Sequence, residues 1–318
     1  MDPDESPFKR RTRGVTRRER EERDLVEMPE EEDRRRPRPY ESKFAKRFTP
    51  TFLIVHDRFG VVFTARDELE MKKYCLKRVE VEDEENAIEN AKREPRIIKA
   101  MKENKYFIQI EKAWMERPPE GYQPKMDRKL FYKNFCSDGG DALMVRPTMS
   151  LRDESYLQCW MYEIADGMAF LHKKNFVHLN LTPSNIYLSA KKQPDDRHSI
   201  VIAGFSHAKV AGTYNGASAD NLGEYKAPEM STPFCDQKID VYSYGTICYE
   251  MLHNAPARGS EKEFFARIQD ETVNFFSVKE KEEFLRGCLA KNPHERWSFE
   301  QVKECFYLFE TSMPYTRE

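Results

Sequence analysis

Side chains able to do chemistry gather in a few short runs of this chain. Tyr74–Val79 (Y-C-L-K-R-V) carries Lys77 inside an apolar, strand-like segment. His178–Asn185 (H-L-N-L-T-P-S-N) brings an imidazole, the amides of Asn180 and Asn185, and two hydroxyls together. Gly204-Phe205-Ser206, Ala227-Pro228-Glu229, Asp240 and Arg296 follow at wide spacing. Taken singly, several have plain structural readings: His178 as a satisfied core histidine, Asp240 as the N-cap of the apolar helix after it. The seven cysteines are odd in number and lack paired spacing. They read as buried, reduced thiols of a cytosolic or nuclear protein, with neither a disulfide framework nor a zinc site. A basic run at Lys9–Arg18 offers polyanion contact, as an import signal or nucleic-acid arm. The first 47 residues hold 15 Lys+Arg against 13 Asp+Glu, and this near balance makes nucleic acid the minor reading.

The elements that must position these residues begin after a change of texture. Residues 1–47 alternate in charge sign and hold too few apolar residues to bury a face, so a disordered charged tail is expected. From Phe48 the short runs Phe52–Val55, Gly60–Ala65 and Tyr74–Val79 predict an antiparallel meander. Asp83–Lys102 places Ile88, Ala91, Ile97, Ile98 and Met101 on one helical face, with a break or kink expected at Glu94 ahead of Pro95. Phe107–Met115 and Ala142–Val145 read as further strands. Beyond Pro147, Leu157, Trp160, Met161, Ile164, Met168 and Leu171 keep helical spacing. Further helices are expected at Val241–Leu252, Glu261–Gln269, Lys279–Leu289 and Phe299–Phe309, with a loop at Lys191–His198 between two strands. A β-rich part followed by a helical part is an α+β arrangement in two lobes.

The 318 residues are 34% charged and 39% hydrophobic, with 21 Phe, 15 Tyr and 3 Trp, which is ample core material. No apolar run reaches the ~18–20 residues of a bilayer span. Residues 1–20 lack the apolar stretch of a secretory signal, so neither membrane nor secretion is expected. Net charge is −2, which by itself indicates no polyanionic partner.

In their order and spacing the motifs resemble the eukaryotic protein kinase domain over residues 48–312. The segments Tyr74–Val79, Ile110–Glu116 and Thr182–Leu188 resemble most the eukaryotic initiation factor 2 alpha kinases. The resemblance implies a small β-rich lobe with one helix at 48–145, a hinge near 146–148 (Arg146–Thr148), a larger helical lobe at 149–312 and a short tail at 313–318. It also implies structural roles. Glu229 of A-P-E would pair with Arg296, Asp240 would hold the catalytic loop through backbone N–H groups, His178 would be architectural, and Phe205 would pack in the core.

Against the same family the chemical positions depart. Of the glycine-rich loop, Val55–Val62, only Gly60 and Val62 match; Asp57 adds like charge over a triphosphate. Lys77 matches the strand lysine, with Glu94 its expected helical partner and Glu89 a weaker alternative. Asn180 stands in place of the base Asp, Thr182 in place of the Lys that contacts the γ-phosphate, Leu179 in place of the Arg that receives an activation-loop phosphate. Gly204 replaces the metal-binding Asp, and Asn221-Leu222 replaces G-T before A-P-E. Asn185 matches the metal-binding Asn. Losing a general base commonly costs ~10²–10⁴ in rate. The expectation is a kinase-like protein that is not an enzyme, with no catalytic residues, no metal and no required cofactor, regulating an active kinase or a kinase substrate. ATP would bind weakly, without magnesium dependence, at Lys77, Glu94, Gly60, Val62 and Asn185. The alternative is a weak ATP-binding or unconventional serine/threonine protein kinase.

Overall fold

The structure, a computed structural model, describes residues 26–27, 42–57, 60–81, 85–116, 128–135, 154–194, 197–213, 222–231, 236–253 and 277–308. Strands β2 (Phe48–Asp57), β3 (Gly60–Asp67) and β4 (Lys72–Val81) form the expected antiparallel meander. Phe63, Ala65, Tyr74 and Leu76 turn one face of it inward, onto Phe48 and Trp114. The six-stranded sheet runs β1 (Val26–Glu27), β5 (Ile110–Glu116), β6 (Arg128–Phe135), β4, β3, β2. Strand β5 (Ile110–Glu116) is paired to β4 only through β6 (Arg128–Phe135), a strand absent from the sequence reading. Ala142–Val145, Glu261–Gln269 and the hinge at Arg146–Thr148 lie outside the described residues.

The tail expected at 1–47 overlaps ordered structure. Val26–Glu27 (β1) pairs in parallel with Ala113 and Trp114 of β5. Helix α1 (Lys43–Arg47) is capped by Ser42, whose hydroxyl accepts from the Ala45 N–H. The cause is Glu116, a buried carboxylate that needs donors. Its oxygens accept from Ser42 Oγ at 2.6 Å, Phe44 N at 2.8 Å and Trp114 Nε1 at 2.7 Å. Arg47 Nε then reaches Asp67 at 2.7 Å.

Helix α2 (Glu85–Ala100) keeps Pro95 inside it, contrary to the break expected at Glu94. An interior proline costs about 3 kcal/mol. Burial of Ile97 and Ile98 against Met101 and Phe107 offsets this, at ~1.5–3 kcal/mol for each full side chain.

The second lobe is helical. Helix α3 (Glu154–Lys173) lies on β9 (His198–Ile202), α4 (Lys238–His253) and α6 (Phe299–Leu308), with α5 (Val278–Leu289) beyond. Its Met161, Ile164, Met168 and Leu171 meet Ile202, Tyr244 and Phe306 in the largest core. Strands β8 (Ile186–Lys192) and β9 form a hairpin, and β7 (Phe176–Val177) pairs with β10 (Lys209–Val210). The lobes are joined through backbone: Ile202 N–H donates to Tyr106 O at 2.7 Å, and Ile108 N–H to Ile202 O at 2.9 Å. This is the two-lobed α+β fold the sequence predicts.

Candidate active site

Along strand β4 the pleat puts Lys77 on the face opposite Tyr74 and Leu76, which pack in the core of the sheet. Helix α2 meets it there. Lys77 Nζ lies 2.7 Å from Glu94 Oε2 and 3.0 Å from Oε1, with both side chains nearly enclosed. A third partner is Ser206 Oγ at 2.8 Å, which also donates to Glu94 Oε2 at 3.2 Å. The ammonium's three hydrogens thus have three protein acceptors. Glu89, the weaker alternative, faces elsewhere. It pairs with Arg96 at 2.7 Å and Lys92 at 3.0 Å, and its hydrogen bond to Arg96, then that to Lys92, holds its carboxyl below the usual range.

The loop after β7 is organised by Asp240 at the start of α4. Its carboxylate is fully buried and accepts from the N–H groups of His178 at 2.7 Å and Leu179 at 2.9 Å, and from His172 Nε2 at 2.9 Å. Leu179 is thereby held at φ 59°, a conformation that disfavours an L residue by ~1–2 kcal/mol. His178 Nε2 faces Ala203 O at 2.9 Å while Nδ1 accepts from Asn180 N–H at 3.2 Å. These partners assign the neutral Nε2–H tautomer, and burial pushes its pKa below the ordinary value. Phe205 packs edge-on against His178, ring centres 4.8 Å apart.

Asn180, Thr182 and Asn185 form one small network. Asn185 Nδ2 donates to Asn180 O at 2.7 Å, and Thr182 Oγ1 meets Ser184 Oγ at 2.8 Å. Leu179 and Leu222, two of the family departures, share an apolar cluster with Val177, Ala227, Met230 and Ile239. Replacing an Arg and a Thr by two leucines exchanges a polar contact for a packed one. Asn221 lies outside the described residues, as do the side chains of Val55, His56 and Asp57.

The family that the motifs resemble implies magnesium, and the residues present do not fit it. Mg²⁺ is usually held by one or two carboxylates together with phosphate oxygens. Gly204 has none, and its φ of 80° disfavours any side chain. A Cβ built there would fall 2.3 Å from Asn185 Cγ and Oδ1. Among the described residues no group of three or more His, Cys, Asp or Glu is placed to hold a metal. Gly60 has a local reason to be glycine: φ is 129°, and a Cβ would lie 2.4 Å from Arg78 O on β4. Its Val62 neighbour is paired with Lys77 across β3 and β4.

Behind the site, Arg296 is buried and every one of its nitrogens donates. Nη1 and Nη2 grip the Glu229 carboxylate, with Nη2 to Oε2 at 3.0 Å. Nε reaches Ala290 O at 2.9 Å and Nη1 reaches Lys238 O at 2.8 Å. The guanidinium also lies 5.1 Å from the Tyr242 ring centre. Cys248 and Cys288 are fully buried, which pushes their thiols up, and burial pushes that of Cys305 to about 12.

The protein kinase domain family matches residues 56–308. The chain belongs to that family. Among curated relatives it is 25% identical to the interferon-induced, double-stranded RNA-activated protein kinase of Rattus norvegicus, over 85% of this chain and 54% of that protein. It is 28% identical to the mitogen-activated protein kinase kinase kinase dlk-1 of Caenorhabditis elegans over 56% of this chain and 20% of that one. With the serine/threonine-protein kinase ULK3 of Xenopus laevis the identity is 27%, over 56% of this chain and 39% of the relative. The chain spans about half or less of these relatives' length.

The family assignment bears out the resemblance read from the motifs and corrects the reading of a non-enzyme. This kinase domain's relatives are protein kinases by name. The departures at Asn180, Thr182 and Gly204 alter how the site is built; they do not remove it from the family. Sequence reasoning gave Ser206 no part, although a hydroxyl where the family has glycine, in the same motif as Gly204, was the available signal. Among the described residues no helix is long and apolar enough to cross a membrane.

Proposed function

We propose that the chain is an unconventional serine/threonine protein kinase, cytosolic or nuclear, that binds ATP weakly and without dependence on magnesium. The observation that carries this reading is the closed pair of Lys77 and Glu94, 2.7 Å apart in a nearly enclosed cleft. A lysine so held is a fixed positive charge for phosphate oxygens. Phosphoryl transfer passes through a loose transition state, so positioning and charge neutralisation carry most of the catalysis. Loss of the base at Asn180 then slows the reaction, by ~10²–10⁴, without abolishing it. Lys77, Glu94, Gly60, Val62 and Asn185 surround the nucleotide, and no step is assigned to a metal.

The protein partner is a kinase substrate or another kinase, met by the helical lobe and the segment from Gly204 to Glu229. The purified 318-residue chain incubated with γ-labelled ATP and a Ser/Thr-containing acceptor protein tests this, with and without EDTA. Slow labelling that survives EDTA and disappears in Lys77→Ala is the expected result. Labelling that is absent, or unaffected by Lys77→Ala, overturns it.

A further inference from the structure

We infer that Ser206 is a positioning residue that clasps helix α2 and holds Lys77 in register. The inference rests on the reading of Lys77 as the phosphate-binding charge. Two neighbouring residues of α2 grip Ser206. Glu94 Oε2 accepts from its hydroxyl at 3.2 Å, and Arg93 Nη2 donates to its carbonyl at 3.4 Å. The same hydroxyl accepts from Lys77 Nζ at 2.8 Å. One side chain thus ties together β4, α2 and the turn Phe205–His207, three elements from both lobes.

The geometry suits this role for a definite reason. The Lys77–Glu94 pair needs α2 to stay inward, and a helix with Pro95 in its last turns has a weakened backbone ladder near Glu94. The neutral hydroxyl satisfies a charge on each side without adding one, donating to the carboxylate and accepting from the ammonium. Leu179 lies in an apolar cluster, so the charged contacts that hold α2 against this turn are those of Glu94 and Arg93 to Ser206. Phe205 anchors the turn. Buried against Phe107 and His178, it fixes the backbone that presents Ser206.

The test uses the 318-residue chain and reads hydrogen exchange over residues 85–100 together with binding of a fluorescent ATP analogue. Ser206→Ala is expected to speed exchange across the helix about tenfold, and Ser206→Thr, which keeps the hydroxyl, to return it to within about twofold of the wild type. In a Lys77→Ala background, Ser206→Ala is expected to add far less, because the two act through one network. Where the wild type binds the analogue, Ser206→Ala raises its Kd about fivefold and Ser206→Thr restores it. Exchange in Ser206→Ala equal to wild type overturns the clasp, whether or not nucleotide binds. Full additivity with Lys77→Ala also overturns it, leaving a structural serine. Absence of analogue binding by the wild type defeats the reading of the site and leaves exchange and its Lys77 coupling to judge the clasp.

Discussion

Asn185 occupies the space that a side chain at position 204 would need: its Oδ1 lies 2.3 Å from where a Gly204 Cβ would stand. Its amide Nδ2, itself 2.8 Å from that point, is pinned by the 2.7 Å bond to Asn180 O. Restoring the missing carboxylate by one substitution is therefore expected to fail. Gly204→Asp should destabilise the protein by ~2–4 kcal/mol, from positive φ and overpacking together. It should leave nucleotide binding no more dependent on magnesium than before. Urea unfolding and ATP titrations with and without Mg²⁺ check both. A stable Gly204→Asp protein with magnesium-dependent binding would show that Asn185 moves aside at little cost.

Breaking the buried pair behind the site should be far more damaging than breaking any exposed one. Glu229→Ala leaves the Arg296 guanidinium buried with backbone carbonyls only, and is expected to cost ~3–5 kcal/mol. Arg296→Lys should rescue little relative to Arg296→Ala, since an ammonium cannot reproduce the forked contact with Glu229. Exposed Arg286–Glu282 is the control, at ~0.3–0.5 kcal/mol for an i,i+4 helix pair. Denaturant midpoints of the four variants, including Glu282→Ala, order them.

His178 makes stability depend on pH in a stated direction. Burial lowers its folded pKa below the ordinary 6.5, so the unfolded chain binds the proton more readily. Its contribution is fully present above pH 6.5 and is lost as pH falls from there towards the lowered value. The slope for one proton is at most ~1.4 kcal/mol per pH unit. Unfolding free energies between pH 7.5 and 5.5 should fall more steeply in the wild type than in His178→Gln. Equal slopes would place the titration elsewhere.

The start of the folded domain can be located by truncation. A chain beginning at residue 42 keeps Ser42, Phe44 and Arg47. One beginning at 48 withdraws two donors from the buried Glu116 carboxylate and one from Asp67. The second is expected to be less stable than the first by ~2–4 kcal/mol, from two or more lost bonds to charged groups. Thermal melts of both decide it. Equal melting temperatures would return the boundary to residue 48.

Lys77, Asp240, Glu229 and Arg296 were legible in the sequence because each sits in a local run with a characteristic neighbour. The contacts they make then follow from the fold. Ser206 was legible only as a hydroxyl where the family has glycine; its partners Lys77 and Glu94 are 129 and 112 residues away, so the bonds it makes had to come from the fold. Ser42 and Glu116, 74 residues apart, were hidden for the same reason, so a capped helix was read as tail. Pro95 misled because the local rule is sound while the burial of Ile97 and Ile98 outweighs it. The non-enzyme reading erred by treating each motif position as indispensable. Phosphoryl transfer spreads its demands over positioning and charge, and the Lys77–Glu94 pair is retained here.

The two short bonds between Tyr106, Ile108 and Ile202 have a consequence for how the molecule melts. They sew the connection after α2 to β9 of the helical lobe, and Phe107 between them lies buried against Phe205. Pulling the sheet away would strip those amides and expose that ring, so neither lobe has an inexpensive route to unfold first. A calorimeter should record a single endotherm from this chain, with the enthalpy of both lobes released together.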